Sequence, residues 1–240
     1  MPRRFHWENG IANTLIARFP DETLDRWKWH LQHVPLVAGT DLYEAGTFVE
    51  HVYFPLSGVI ALGFENSSHR NSTLCLFGKN GMVGLQMVLG NERSVESAKV
   101  LIGGFALRLE AGLVRTEMAR GGEVAQLLLA RTQLKMTRLA TSAFCNRHHS
   151  LEQQLCQRLL EMMELTGNNE FVLTQSELAD LVGGRREQVN RKLGELRDAG
   201  TLQMERNSLR VTEPAGIWAR VCDCHKVLSA AEARLMANHP

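Results

Sequence analysis

The sequence predicts an α+β protein in which a β-rich N-terminal domain is followed by a long helix and a C-terminal winged helix-turn-helix. From about Leu36 to Leu109, short apolar runs such as "VIALGF" and "TLCLF" are separated by glycines, a rhythm typical of many short strands in a barrel, sandwich or roll. After Leu109 the apolar residues recur at helical spacing. We therefore expect a β-rich domain with flanking helices at residues 1–122, a helix at 123–146, and a second domain with a helical tail at 147–240.

The composition is that of an ordinary folded protein. With 240 residues, of which 44% are hydrophobic, the chain can bury two modest cores. We find neither a signal peptide nor an apolar run near the roughly 18 residues that a membrane span needs, so we expect a soluble, cytoplasmic protein with no membrane partner. Five cysteines form an odd set without framework spacing, which favours reduced thiols.

The stretch "TQSELADLVGGRREQVNRKL", residues 174–193, predicts two short helices that meet at a glycine turn. Thr174 and Glu177 have the spacing of a capping box, in which two side chains satisfy free backbone donors at a helix start. Gly183 falls where a left-handed residue would end the first helix, since glycine has no Cβ to clash. The second helix is expected to run from Arg185 or Arg186 to Arg197.

The apolar spacing of this second helix predicts which of its side chains reach solvent. Positions i, i+4 and i+7 form the core side, and they are Val189, Leu193 and Leu196. The residues that must then point outward are Arg186, Glu187, Asn190, Arg191 and Lys192. Arginine can make two hydrogen bonds to guanine, glutamate can accept from cytosine N4, and asparagine can read adenine or touch a phosphate.

These features predict a DNA-reading surface. The candidate DNA contacts are Arg185, Arg186, Glu187, Asn190 and Arg191 on the second helix, with Thr174 and Gln175 at the start of the first. The whole chain has a net charge of only +1, but basic residues outnumber acidic ones from residue 185 to 197. Strands at 202–204 and 209–211 would complete a winged helix. The alternative is a solvated charged face on an ordinary helical hairpin.

The long helix at 123–146 carries a stripe whose members are separated alternately by three and four residues. The stripe consists of Leu127, Ala130, Leu134, Thr137, Thr141 and Phe144. Such a stripe can pair with a second copy of itself, as in a coiled coil, which predicts a homodimer. The alternative is that the stripe packs on the β-rich domain of its own chain.

The chain resembles the Crp/Fnr family of bacterial transcription regulators along nearly its whole length. The strongest stretch is "LTQSELADLVGGRREQVNRKL", in which "RREQVNR" is similar to the family's recognition-helix pattern. The resemblance implies a cyclic-nucleotide-binding-like β-roll (a jelly roll), a dimerisation helix and a winged helix in which Arg186, Glu187 and Arg191 read bases. Gly184 and Lys192 stand where many members carry apolar residues. This departure implies a looser helix pair, or a Lys192 stem lying on the core with its ammonium lifted out.

The resemblance also locates a candidate effector site, at Gly84, Leu85, Arg93 and Ser94. In cyclic-AMP-binding members a glutamate follows this glycine and holds the ribose hydroxyl, while an arginine holds the cyclic phosphate. Leu85 stands in the place of that glutamate. An unpaired ribose hydroxyl would cost about 1–3 kcal/mol, so we expect an unidentified small-molecule effector rather than cyclic AMP. Arg93 would bind an anion in one interpretation and be solvated in the other.

Other kinds of site find less support in the sequence. No cysteine precedes Cys75, which disfavours the family's iron-sulfur sensor type, and neither His51 nor His69 stands out as a haem ligand. "VCDCHK" brings Cys222, Cys224 and His225 together, but the spacing is tight for structural zinc and no second pair lies nearby in the sequence, so packed thiols are favoured. We predict no cofactor, no metal site and no catalytic residue, since no enzyme motif occurs.

Together these observations predict a transcription regulator, not an enzyme. Its expected partners are double-stranded DNA with an inverted repeat, a second copy of the chain, a small-molecule effector and RNA polymerase. The alternative is a small-molecule sensor that signals through protein contacts, with a degenerate helix-turn-helix as the docking surface. The nearly neutral C-terminal half and Gly184 motivate that alternative.

Overall fold

The computed structural model describes residues 12–65, 71–90, 93–205 and 207–237. Within these ranges the helices are α1 Asp21–Trp27, α2 Leu85–Val88, α3 Ala111–Arg120, α4 Gly122–His148, α5 Leu151–Thr166, α6 Gln175–Val182, α7 Arg186–Asp198, α8 Pro214–Trp218 and α9 Cys224–Ala237. The strands are β1 Gln32–Leu36, β2 Asp41–Tyr43, β3 His51–Pro55, β4 Val59–Glu65, β5 Asn71–Phe77, β6 Ser97–Ile102, β7 Gly104–Glu110, β8 Glu170–Val172, β9 Leu202–Met204 and β10 Ser208–Val211.

Two antiparallel sheets form the N-terminal domain. One has the strand order β1-β7-β3 and the other the order β2-β6-β4-β5. Side chains from both sheets meet in one buried core, as Phe54 of β3, Ile60 of β4 and Val100 of β6 illustrate. The glycine-punctuated region therefore folds as the β-roll that the sequence predicts.

Helices α1 and α3 pack beside the β-roll and are tied to each other by charge. Trp27 of α1 is buried in the core of the roll, with its ring edge against Phe19. Glu117 of α3 is almost completely buried and accepts two hydrogen bonds of 2.8 Å from Arg26, besides one from Arg120. The hydrogen bonds from Arg26 lower the pKa of Glu117, because they stabilise its carboxylate form.

The long helix α4 begins at a glycine pair and ends two residues beyond the predicted limit. Gly121 and Gly122 both have positive φ, which lets the chain leave α3 and start α4 without a Cβ clash. Leu127 and Leu128 bury α4 against the core of the β-roll.

None of the helices in the described ranges is long and apolar enough to cross a membrane.

A second core joins the C-terminal domain to the outer face of the β-roll. Helices α5, α6 and α7 and the strands β8, β9 and β10 supply most of its side chains, and Val59, Leu76 and Leu101 contribute to it from β4, β5 and β6. Arg158 of α5 reaches across this contact, with one guanidinium nitrogen 3.4 Å from the carbonyl oxygen of Leu74. The winged-helix domain therefore packs against the β-roll of its own chain.

The C-terminal helix α9 runs back along α4. Glu232 accepts hydrogen bonds from Arg138 at 3.0 Å and Arg131 at 3.5 Å, and Met236 enters the core of the β-roll. The described chain thus returns to the helix that links its two domains.

We expect Glu117→Gln to lower the free energy of unfolding by about 1–3 kcal/mol, because a buried carboxylate with charged hydrogen-bond partners is lost. The matched control is Asp25→Asn, which breaks an exposed ion pair with Lys28 and should change stability by less than about 1 kcal/mol. Chemical denaturation measures both.

The pH dependence of the two proteins offers a further check. Because the pKa of Glu117 is lowered in the folded state, its contribution is complete above the ordinary glutamate pKa and is lost as the pH falls through the lowered value. The difference between wild type and Glu117→Gln should therefore shrink in acid. An equal difference at neutral and acid pH would contradict the ion-pair account.

Candidate DNA-reading surface and sensor site

Helix α6 begins at the capping box that the sequence predicts. The Thr174 hydroxyl accepts from the backbone N–H of Glu177 at 3.2 Å, and the Glu177 carboxylate accepts from the backbone N–H of Thr174 at 2.7 Å. Gly183 ends the helix in the left-handed conformation, with φ +61°. Both ends of α6 are therefore set by local chemistry.

Gly184 makes the close turn between α6 and α7. A Cβ at this position would lie 3.1 Å from both Leu151 Cδ1 and Val189 Cγ2, and 3.3 Å from Val182 Cγ2. The expectation of a looser helix pair is therefore wrong, because the missing side chain at Gly184 lets three apolar residues close around the turn.

Helix α7 is held by the three residues that the sequence assigns to its core side. Val189, Leu193 and Leu196 are 0%, 0% and 2% exposed. Because residues of an α-helix are separated by about 100° around its axis, burying this stripe determines which side chains face away from the protein.

The opposite face of α7 presents charged groups to solvent. Arg186, Glu187 and Arg191 are exposed, as are Arg185 and Gln188 at the start of the helix. The side chain of Arg191 is 70% exposed and its Nε lies 3.9 Å from Glu195 Oε1. Gln188 is not among the DNA contacts predicted from the sequence, although it lies with the outward residues of the first turn of α7.

Gln175 connects the two helices of the motif. Its side-chain oxygen accepts from Asn190 Nδ2 at 2.9 Å and lies 3.4 Å from a guanidinium nitrogen of Arg186. The Asn190 side-chain oxygen is buried and has no hydrogen-bond partner in the described chain. Asn190 thus belongs partly to the contact between the helices, and Gln175 helps to orient Arg186.

Lys192 places its charge among carboxylates. Its Nζ lies 2.6 Å from Glu195 Oε2 and 3.6 Å from Glu152 Oε2, and its side chain is 25% exposed. The ammonium is therefore lifted out of the core, in agreement with the second of the two expectations for this departure from the family pattern.

The wing consists of the strands β8, β10 and β9 in that order. Arg210 on β10 pairs with Glu170 on β8 at 2.6 Å. The predicted strands at 202–204 and 209–211 are confirmed as β9 and β10, with β10 starting one residue earlier. The winged helix is thus complete beside α7.

The candidate effector residues occupy a turn and a short helix of the β-roll. Gly84 has φ +94°, and a Cβ here would lie 3.1 Å from the carbonyl oxygen of His51, so glycine is needed on both grounds. Leu85 begins α2 and is buried in the apolar core. A side chain so placed offers no hydrogen bond to a ligand.

Arg93 and Ser94 already have partners within the chain. Arg93 donates to the carbonyl oxygen of Gly46 at 2.8 Å and its guanidinium carbon lies 4.2 Å from the ring centre of Phe48. Ser94 is buried; its hydroxyl donates to the carbonyl oxygen of Glu96 at 2.5 Å and accepts from Gln86 at 3.0 Å.

A buried ion pair connects this part of the β-roll to α4. Glu96 is almost fully buried and its carboxylate lies 2.5 Å from Lys135 Nζ. Gln86, which contacts Ser94, also lies 3.1 Å from the hydroxyl of Tyr43, whose pKa is raised by burial. Ser94 and Lys135 thus contact the same residue, Glu96, one at its backbone carbonyl and the other at its carboxylate, a link that sequence patterns did not reveal.

The stripe predicted as a dimer seam is half covered within the protomer. Leu127, Ala130 and Leu134 are 3–5% exposed, whereas Thr137 and Thr141 are partly exposed and Phe144 is exposed. Leu127 and Ala130 belong to the core of the β-roll, and α9 lies along the same helix. The prediction is therefore corrected for the three buried residues, because their own chain already occupies the space a partner would need.

We expect Gly184→Ala to be less stable than Gly194→Ala by about 1 kcal/mol or more, because the added methyl group must push Leu151 and Val189 outward by a few tenths of an ångström. The control is Gly194→Ala in the middle of α7, where a Cβ meets nothing within 4 Å; it should stabilise the helix by about 0.5–1 kcal/mol. Urea denaturation measures both variants. Equal stabilisation by the two substitutions would refute the close contact.

Two family models match this chain. The model of the cyclic nucleotide-binding domain matches residues 33–120 and that of the Crp-like helix-turn-helix domain matches residues 153–220. The chain is 23% identical over 190 residues to the CRP-like cAMP-activated global transcriptional regulator of Mycobacterium tuberculosis, covering 76% of this chain and 85% of that protein. It is 26% identical over 174 residues to the anaerobic regulatory protein of Bacillus subtilis, covering 69% and 73%.

Solved structures share the fold. FixK2 from Bradyrhizobium japonicum superposes with a TM-score of 0.69 at 16% identity, covering 80% of this chain and 98% of that one. The c-di-GMP responsive global regulator CLP of Xanthomonas campestris superposes with a TM-score of 0.65 at 16% identity, covering 80% and 99%. With a nucleotide-binding type of β-roll, a long connecting helix and a Crp-like winged helix in one chain, this protein belongs to the Crp/Fnr family of transcription regulators.

Proposed function

We propose that the protein is a homodimer that binds an inverted-repeat operator and reads its sequence with helix α7. The half-sites would lie about one helical turn apart, because a dimer presents its two recognition helices on one face of the duplex. The observation that carries this proposal is the orientation of α7: its apolar stripe is buried, and Arg186, Glu187 and Arg191 are exposed together on the other side.

The roles of the exposed residues follow from their chemistry. Arg186 and Arg191 would each form paired hydrogen bonds to a guanine, and Glu187 would accept from a cytosine. Arg185, Thr174 and Gln175 lie at the starts of the two helices, where phosphate contacts position a reading helix. Gln175 would also keep Arg186 and Asn190 in place before DNA binds.

The signal that controls this regulator would act at the β-roll and would differ from cyclic AMP. Leu85 stands where cyclic-AMP-binding members carry glutamate, and it is buried in the apolar core. Arg93, the candidate phosphate ligand, is held by Gly46 and Phe48. The ion pair between Glu96 and Lys135 would carry the response to α4.

A different face of α4 would form the dimer contact. Leu129 and Met136 are 52% and 65% exposed, and Ala140 and Ala143 are exposed on the same side of the helix. Together with Gln133 these positions repeat at steps of four and three residues, which is the spacing of a coiled-coil seam. Members of this family bind DNA as dimers, and this stripe is a largely apolar, exposed face of α4 that a second copy would cover.

We expect Arg186→Ala and Arg191→Ala each to weaken binding to the operator by about 1–3 kcal/mol and to relax specificity at one base position. The control is Arg197→Ala at the far end of α7, where the guanidinium is paired with Asp198. The operator is first selected from random duplexes, and affinities are then measured by fluorescence anisotropy on it and its single-base variants.

Two outcomes would contradict the reading role. An equal loss of affinity on all sequences would restrict these arginines to phosphate contacts. A selection that enriches no palindrome would favour the alternative in which the helix-turn-helix docks a protein.

We expect Met136→Glu to weaken the dimer at least about tenfold, or about 1.4 kcal/mol, because two carboxylates would oppose each other across the seam. Val37→Glu is the control, since it places the same charge at another exposed apolar residue, in the loop after β1. Sedimentation equilibrium measures the dissociation constant. A dimer unchanged by Met136→Glu would rule out this face.

A further inference from the structure

Four metal-ligating side chains converge where α4 meets the C-terminal segment. Cys145 lies in the last turn of α4 and His149 is the residue that caps this helix, whereas Cys222 precedes α9 and Cys224 is its first residue. Their ligand atoms, three sulfurs and one imidazole nitrogen, all lie within 4.8 Å of one another. The two pairs are far apart in the sequence and meet only in the fold.

Two distances within this Cys3His cluster match those of a tetrahedral zinc site. Cys145 Sγ lies 3.7 Å from Cys222 Sγ, and Cys224 Sγ lies 3.6 Å from His149 Nδ1. For zinc with Zn–S bonds of about 2.3 Å and Zn–N bonds of about 2.0–2.1 Å, tetrahedral geometry places two sulfurs about 3.8 Å apart and sulfur and nitrogen about 3.6 Å apart. These two separations thus match zinc geometry as they stand, and all four ligand atoms lie within 4.8 Å of one another, so a small inward movement would complete the tetrahedron.

The surroundings are those of a closed structural site. The three cysteines are 4–7% exposed and form a small cluster of their own, separate from the two large cores. Gln154 holds the backbone of the α4 pair, donating to the carbonyl oxygen of His149 at 2.9 Å, and the ring of Phe144 lies against that of His149. These two contacts restrict the backbone and the ring of His149.

The neighbouring histidine is not part of the cluster. His225 Nε2 lies 3.2 Å from Glu164 Oε1 and 3.3 Å from the Ser229 hydroxyl, and its ring packs against Trp218. The trio of Cys222, Cys224 and His225 that the sequence suggests is therefore replaced by a set in which His149 is the nitrogen ligand.

We propose that Cys145, His149, Cys222 and Cys224 bind one zinc ion per chain. Three sulfurs and one imidazole suit zinc, which has no redox chemistry and is four-coordinate in structural sites of this ligand type. On binding, the three thiols lose their protons to solvent and bond to the ion as thiolates, while the neutral imidazole donates through Nδ1. This proposal departs from the packed-thiol interpretation that the sequence alone favours.

The position of the site gives the ion a structural consequence. The winged helix, from α5 to α8, lies between the two ligand pairs, so one ion would tie both of its ends to the last turn of α4. The ion would thus hold the winged-helix domain to α4, the helix that carries the proposed dimer seam. This attachment would fix the orientation of the proposed reading surface. The ion would close a loop of 77 residues between Cys145 and Cys222.

Metal analysis of the full-length chain, purified under reducing conditions, tests the proposal. We expect about one zinc per chain by plasma mass spectrometry, retained through dialysis. After removal of zinc with a chelator, added Co²⁺ should produce the thiolate-to-cobalt charge-transfer band and the visible bands of a tetrahedral site. Absence of zinc together with no cobalt spectrum would overturn the proposal, without any variant being needed.

Matched substitutions assign the ligands. Cys145→Ser, Cys222→Ser, Cys224→Ser and His149→Ala should each reduce bound zinc at least tenfold after dialysis against a competing chelator. Cys156→Ser and His148→Ala are the controls, since one removes a buried cysteine outside the cluster and the other the histidine next to His149; both should retain one zinc. Zinc lost equally from controls and ligand variants would refute this ligand set.

The alternative to zinc binding is a disulfide between two of the same sulfurs. Cys145 and Cys222 are close enough to bond after a small movement, since bonded sulfurs lie about 2.05 Å apart. Mass spectrometry of non-reduced peptides distinguishes the two states. The zinc site would be refuted by a Cys145–Cys222 disulfide that forms in metal-free protein purified without reductant and persists when zinc and reductant are added. Free thiols that zinc protects from alkylation would support the site.

Discussion

The burial of one side of α7 is the constraint on which the proposed reading surface depends. Val189, Leu193 and Leu196 lie in the core of the C-terminal domain, so the helix cannot rotate about its axis without exposing them to water. Fully burying a residue of this size stabilises by about 1.5–3 kcal/mol, which far exceeds what an exposed arginine gains from its own contacts. The positions of Arg186, Glu187 and Arg191 are therefore set by the three apolar residues on the opposite side of the helix.

Helix α4 contacts the β-roll, the buried ion pair of Glu96 and the cysteine cluster. Its first half belongs to the core of the β-roll, its middle receives Glu96 through Lys135, and its last turn carries two side chains of the cysteine cluster. The winged helix also packs directly on the outer face of the β-roll. A movement of α4 would therefore alter both the proposed dimer seam and the attachment of the winged helix.

Local chemistry made the C-terminal domain predictable. The capping box at Thr174, the left-handed Gly183 and the apolar spacing of α7 involve residues a few positions apart, and each appears in the structure as the pattern indicates. Gly184 shows the limit of such reasoning. From the sequence, a glycine here predicts a loosely packed helix pair. In the structure Leu151 and Val189 pack closely around Gly184, and Leu151 belongs to a helix more than 30 residues earlier in the chain.

The amino-acid sequence by itself determined the family resemblance, the β-roll followed by the long helix, and the outward face of α7, because strand and helix periodicity and capping depend on near neighbours. Only the tertiary structure decided that Leu127 and Ala130 of the predicted α4 stripe are buried, since they pack in the β-roll core of their own chain. It also decided that Cys145 and His149 meet Cys222 and Cys224. Contacts across so many residues depend on how whole elements pack, which spacing along the chain does not encode.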